Sequence, residues 1–132
     1  MSDEGTVADR RARGLATRRK VLGDAYVDRA LGSATDIDKR FQDWATECAW
    51  GAVWSRPGLA LRDRSLLVCA ITAALGRWEE FELHARSAVH SGATDEEIAE
   101  ALLHVAVYAG APCANTGFKI LRALHANRRE GA

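Results

Sequence analysis

Arg77, Glu80 and His84 lie three and four residues apart in the stretch 76–88. On a helix that spacing places all three on one face. A guanidinium, a carboxylate and an imidazole on one stripe offer an anion-binding group, an acid and a base. Trp78, Phe81, Leu83, Ala85 and Ala88 surround them, so the helix is expected to be largely buried. Ionisable groups on a buried stripe are costly unless they pair or work.

A second constellation runs from Trp50 to Leu59. Trp50 and Trp54 are large apolar walls, each with one donor, and Arg56 is the preferred bidentate partner for a carboxylate. Pro57-Gly58 marks a turn beside them. The stretch reads as a pocket wall with an anion clamp, or as a hydrophobic corner carrying a surface Arg.

The elements that must hold these residues are all helical. The chain has 132 residues, one domain by length, and its formal net charge of zero gives no case for nucleic acid or an anionic membrane. No apolar run approaches the roughly 18 residues a bilayer span needs, and the polar N-terminus lacks a signal-peptide core, so a cytoplasmic protein is expected. Cys48, Cys69 and Cys113 are far apart with no Cys-x-x-Cys spacing. They read as reduced, buried thiols rather than a zinc knuckle or a dithiol pair. His84 with Glu80 is too small a ligand set for zinc. His90, His104 and His125 read as structural or surface residues.

Residues 1–13 read as a flexible arm, 14–127 as the helical domain and 128–132 as a tail. Arg10, Arg11, Arg13, Arg18, Arg19 and Lys20 form a basic run, read as a solvated helix face or an arm docking on a neighbouring subunit. A short helix spans 25–31. Thr35 is placed to cap the next helix, with Phe41, Trp44, Ala45, Cys48 and Ala49 on its buried face and an end near Trp50. Further helices are expected over 59–75, 77–90, from the Thr94–Glu97 capping box to Gly110, and from Pro112 to Asn127. The result is an all-α domain of about six helices. Helices 59–75 and 99–109 carry more apolar surface than so small a domain hides, which points to a homo-oligomer.

Five segments together resemble one family. They are Trp50-Gly51-x-x-Trp54-x-Arg56-Pro57-Gly58-Leu59, Arg64-Ser65-Leu66, Glu79-Glu80-x-x-Leu83-His84-x-x-x-Ala88, Gly92-x-Thr94-x-x-Glu97-Ile98-x-Glu100 and Tyr108-x-Gly110-x-Pro112-x-Ala114-Asn115. The chain resembles the carboxymuconolactone decarboxylase family over about residues 14–126. The first segment is the most specific. The resemblance implies an alkylhydroperoxidase D-like helical fold and a trimer or hexamer. In alkylhydroperoxidase D the catalytic helix carries two cysteines. Aligned by His84, those positions fall here on Arg77 and Glu80, which removes dithiol chemistry.

The implied reaction is decarboxylation of 4-carboxymuconolactone to an enol-lactone within aromatic catabolism. The lactone carbonyl is the electron sink, so no cofactor or metal is required. His84 is the implied proton donor or oxygen-polarising donor, since an unperturbed pKa of about 6.5 suits proton traffic. Glu80 either orients the imidazole and favours the imidazolium, or is itself the acid with a pKa raised by burial. Arg56 is the first candidate clamp for the remaining carboxylate, followed by Arg64 and Arg77; Arg64 otherwise bridges helix ends. Trp50 and Trp54 would exclude water. The alternatives are a related enzyme acting on another small cyclic acid, or a non-catalytic oligomeric binding protein.

Overall fold

The computed structural model describes residues 5–131. Among them every regular element is helical: seven α-helices and one π-helix. They fall into two compact units that divide between Ala60 and Leu61.

The first unit holds α1 (Val7–Leu22), α2 (Asp24–Gly32), α3 (Lys39–Trp44) and the π-helix (Ala45–Trp54). Thr6 starts α1 through a capping box. Its hydroxyl accepts from the Asp9 amide at 3.1 Å, and the Asp9 carboxylate accepts from the Thr6 amide at 3.0 Å. Residues 7–13, expected in a flexible arm, are therefore the opening turns of a helix; residues 1–4 lie outside the described chain.

Helix α1 packs directly on the π-helix. A Cβ at Gly14 would lie 2.1 Å from the Thr46 carbonyl oxygen, and one at Gly51 would lie 2.3 Å from that of Arg10. Only glycine permits so close a backbone approach. Arg10, Arg13 and Arg18 of the basic run line this seam, while Arg11 and Lys20 are exposed on the solvated face. Arg10 pairs with Glu47 at 2.9 Å, Arg13 donates to the Gly51 carbonyl at 3.5 Å, and buried Arg18 reaches the Thr46 hydroxyl at 3.4 Å. Arg19 bonds Asp24 and Asp28, tying α1 to α2.

The expected single helix from Thr35 to Trp50 is not formed. The Thr35 hydroxyl accepts from the Ile37 amide and the Asp38 carboxylate accepts from the Thr35 amide, which makes a turn before α3. At Ala45 the winding then opens to π geometry, whose i→i+5 bonds lengthen the period. The buried residues become Thr46, Trp50, Gly51 and Trp54. Phe41 and Trp44, placed on the buried face by α-helical spacing, are instead 61% and 57% exposed.

The second unit contains α4 (Leu61–Leu75), α5 (Trp78–Ser91), α6 (Asp95–Tyr108) and α7 (Ala111–Glu130). Its core joins Cys69 and Ala73 of α4, Phe81, Ala85 and Ala88 of α5, Ile98, Leu102 and Val105 of α6, and Leu121 and Leu124 of α7. Each fully buried large side chain contributes about 1.5–3 kcal/mol of hydrophobic free energy. Gly92 ends α5 in the left-handed region at φ 87°. The Thr94 hydroxyl accepts from the Glu97 amide while the Glu97 carboxylate accepts from the Thr94 amide, the expected capping box. Pro112 sits in the first turn of α7, which continues past Asn127 to Glu130 and absorbs most of the expected tail.

Leu67, Ile71 and Leu75 on α4 and Leu103, Val107 and Tyr108 on α6 are exposed, in line with the excess apolar surface expected of these helices. Cys69 is buried, whereas Cys48 and Cys113 are only half-buried; all three are free. Among the described residues no helix is long and apolar enough to cross a membrane, and no three His, Cys, Asp or Glu side chains are gathered to hold a metal.

Candidate active site

Helix α5 carries the central pair. Phe81, Leu83, Ala85 and Ala88 bury its inner surface and take His84 inward with them. The His84 side chain is 7% exposed, and its Nε2 lies 3.6 Å from Glu80 Oε2, one turn earlier. That separation is within ion-pair range and longer than a hydrogen bond. Glu80 is itself 61% exposed, so it lacks the burial that the acid role would require.

Burial controls the imidazole. It pushes the His84 pKa down to about 4, because the charged form loses its hydration. The nearby carboxylate favours the imidazolium but is screened by water, and desolvation outweighs it. His84 is therefore neutral at neutral pH, which reverses the expectation of a Glu80-stabilised imidazolium.

The arginines are distributed differently from the sequence expectation. Helix α5 begins at Trp78, which leaves Arg77 exposed at the N-cap with non-helical backbone (φ −88°, ψ 75°). It forms no ion pair with Glu80 among the described residues, so the three-member stripe reduces to the pair Glu80–His84. Arg64 is half-buried in the first turn of α4, where the adjacent Ser65 hydroxyl bonds Ser91 at the end of α5 at 2.9 Å.

In the first unit, Trp50 and Trp54 project from the π-helix and stack with ring centroids 4.8 Å apart and planes 25° apart. Both are buried. The Ser55 hydroxyl donates to the Trp50 carbonyl at 2.7 Å and lies 2.8 Å from the Thr17 hydroxyl of α1, which fixes the end of the π-helix. Arg56 follows this end, is exposed, and donates its amide to the Val53 carbonyl. The aromatic wall and Arg56 thus form one local arrangement, and Glu80–His84 forms another in the second unit.

A segment matching the carboxymuconolactone decarboxylase family spans residues 39–123, from α3 into α7. The chain belongs to the carboxymuconolactone decarboxylase family. The matched range contains Trp50, Trp54, Arg56, Arg64, Arg77, Glu80 and His84. A 4-carboxymuconolactone decarboxylase of Acinetobacter baylyi is 42% identical over 115 residues, covering 87% of this chain and 83% of that protein. A nitrosuccinic acid decarboxylase of Metarhizium robertsii is 46% identical over 99 residues, covering 75% of this chain and 69% of its own.

One family-independent feature escaped the sequence reading. His125 is structural, in line with its expected role, and Arg128, expected to begin a tail, is helical; both bond Asp95, the first residue of α6. An acid in the first turn of one helix and a base in the last turn of another were visible in the sequence. Their meeting depends on how α6 and α7 pack.

Proposed function

We propose that this protein decarboxylates small dicarboxylic acids whose departing carboxylate leaves its electron pair to an electron sink in the same molecule, and that 4-carboxymuconolactone is its substrate. The observation that carries the reading is the 42% identity to the Acinetobacter baylyi enzyme across 87% of the chain. Buried His84, with Glu80 one turn away in the same range, supports it.

Loss of the ring carboxylate as CO2 sends its electron pair through the double bond to the lactone carbonyl. The dienolate then takes a proton at the carbon next to that carbonyl. A neutral imidazole cannot simply give its N–H proton to carbon, because that would leave an imidazolate. Neutral His84 suits a hydrogen bond to the lactone oxygen, where charge builds. It also suits a relay, in which one ring nitrogen gains a proton from water, directly or through the Glu80 carboxylate, as the other gives one. Arg56 is assigned to the carboxylate that remains, with Arg64 and Arg77 as the other cations, and Trp50 and Trp54 to excluding water. These assignments rest on the family resemblance.

The Metarhizium robertsii relative favours a second reading, nitrosuccinate. There the nitro group is the sink: loss of the adjacent carboxylate leaves a nitronate, which is protonated at carbon. Both substrates lose one carboxylate, retain another and hold their own electron sink. The catalyst described above serves either. The exposed apolar residues of α4 and α6 support a homo-oligomer, a trimer or hexamer, which light scattering tests.

The deciding experiment incubates purified protein with each acid and follows CO2 release with product formation. Enol-lactone from 4-carboxymuconolactone supports the first reading. Turnover of nitrosuccinate alone selects the second. Turnover of neither refutes the decarboxylase reading.

A further inference from the structure

The cluster around Asp95 joins three helices at the turn that carries His84. Arg128 of α7 donates through Nε to both Asp95 carboxylate oxygens at 3.1 and 3.2 Å, and through Nη2 to Oδ1 at 2.7 Å. The same guanidinium reaches α5. Its Nη2 donates to the Ala85 carbonyl at 2.9 Å, and Nη1 to the Arg86 carbonyl at 3.0 Å. Asp95 is held from the other side by His125, whose Nδ1 lies 2.7 Å from Oδ2. The Asp95 side chain is only 13% exposed.

This grip falls on the two residues that follow His84. Elsewhere α5 meets its neighbours through apolar side chains, among them buried Phe81, Ala85 and Ala88. Such contacts are non-directional, whereas hydrogen bonds to fixed donors also set a direction. A guanidinium is planar and rigid, and its donors are fixed in direction. Bonded to two successive carbonyls, it fixes both the axial position and the rotation of α5. Asp95 fixes the guanidinium in turn, because its own backbone starts α6.

We propose that Arg128 is a positioning residue for His84, acting through the α5 backbone and locked by Asp95. This role rests on the decarboxylase reading for its catalytic consequence. Misplacing a catalytic group by about 1 Å costs up to about a hundredfold in rate.

The test compares wild type with Arg128→Met, Arg128→Lys and Asp95→Asn, after far-UV circular dichroism shows that each variant is folded. With 4-carboxymuconolactone, Arg128→Met should lose about tenfold or more in kcat while KM stays within about twofold. Arg128→Lys should recover part of the loss, since an ammonium still reaches Asp95 but lacks the fork for two carbonyls. Combining Asp95→Asn with Arg128→Met should add little beyond either change, because the two act as a unit. A wild-type kcat in Arg128→Met, even with a lowered Tm, would overturn the proposal. If wild type turns over neither the lactone nor nitrosuccinate, the decarboxylase reading fails by itself. Positioning is then read from the His84 imidazole 1H–13C correlation, compared between wild type and Arg128→Lys or Arg128→Met. A single sharp signal in wild type that splits or broadens in a folded variant supports it; an unchanged single signal overturns it.

Discussion

Replacing His84 with Gln should make the protein less sensitive to acid. The His84 pKa is about 4 in the folded chain, against about 6.5 for an unperturbed histidine. Because the folded value is the lower one, the unfolded chain binds the proton first as pH falls. Stability is therefore intact above about pH 6.5, drains away between about 6.5 and about 4, and is constant below that. At about 1.4 kcal/mol per unit, the full gap corresponds to roughly 3 kcal/mol, of which about 2.5 kcal/mol is already lost at about pH 4.5. Glu80 opposes this by attracting the imidazolium, but it is 61% exposed and solvent weakens its pull. Other groups also respond to acid. Asp95, whose carboxyl is pushed up by burial, is held below the ordinary range overall by Arg128 and His125, and it loses stability as pH falls. Such contributions are common to both proteins and cancel in the comparison. Urea unfolding followed by circular dichroism at about pH 7 and about pH 4.5 gives the acid-induced loss for each. That loss should be smaller by about 2–3 kcal/mol in His84→Gln. Equal losses in the two proteins would refute the claim that His84 is buried and neutral.

Exchanging Glu80 for Gln removes an exposed carboxylate. Stability should change by no more than about 0.5 kcal/mol, while turnover of the lactone should fall about a hundredfold if the carboxylate takes part in proton transfer. Kinetics and urea titration on the same sample separate the two effects. Gly14→Ala would place a Cβ 2.1 Å from the Thr46 oxygen, so α1 and the π-helix must move apart by about 1 Å. A loss of about 3 kcal/mol is expected, with a change in the near-UV signal of stacked Trp50 and Trp54. Burial pushes the Cys69 thiol up to about 12, so it should resist a thiol reagent in the native protein and react only after denaturation. Half-buried Cys48 and Cys113 should react earlier, which mass spectrometry of the labelled peptides resolves.

The end of α5 and the starts of α6 and α7 were legible because local chemistry sets them. Gly92 supplies a positive φ, Thr94 and Glu97 satisfy open amides, and Pro112 needs no donor in a first turn. Periodicity likewise placed Phe81, Ala85, Ile98 and Leu102 in the core and brought Glu80 and His84 onto one face. The Trp50–Leu59 and Glu79–Ala88 segments also revealed the family, because they lie within the matched range.

The π-helix was not legible. Its wider winding buries Thr46, Trp50 and Trp54, while Phe41 and Trp44 of the preceding α3 stay exposed, and it lies against α1 because Gly14 and Gly51 let two backbones meet. Nor was the charge of His84: spacing brings a carboxylate near, but only burial removes the water that an imidazolium needs. The Asp95–Arg128 link across three helices followed the same rule. The sequence by itself determined the capped and glycine-terminated helix ends and the reactive groups on α5, since these depend on neighbours three or four residues away. Tertiary structure alone decided which groups lost their water and which backbones touched, because solvation and long-range contact depend on everything packed around a residue.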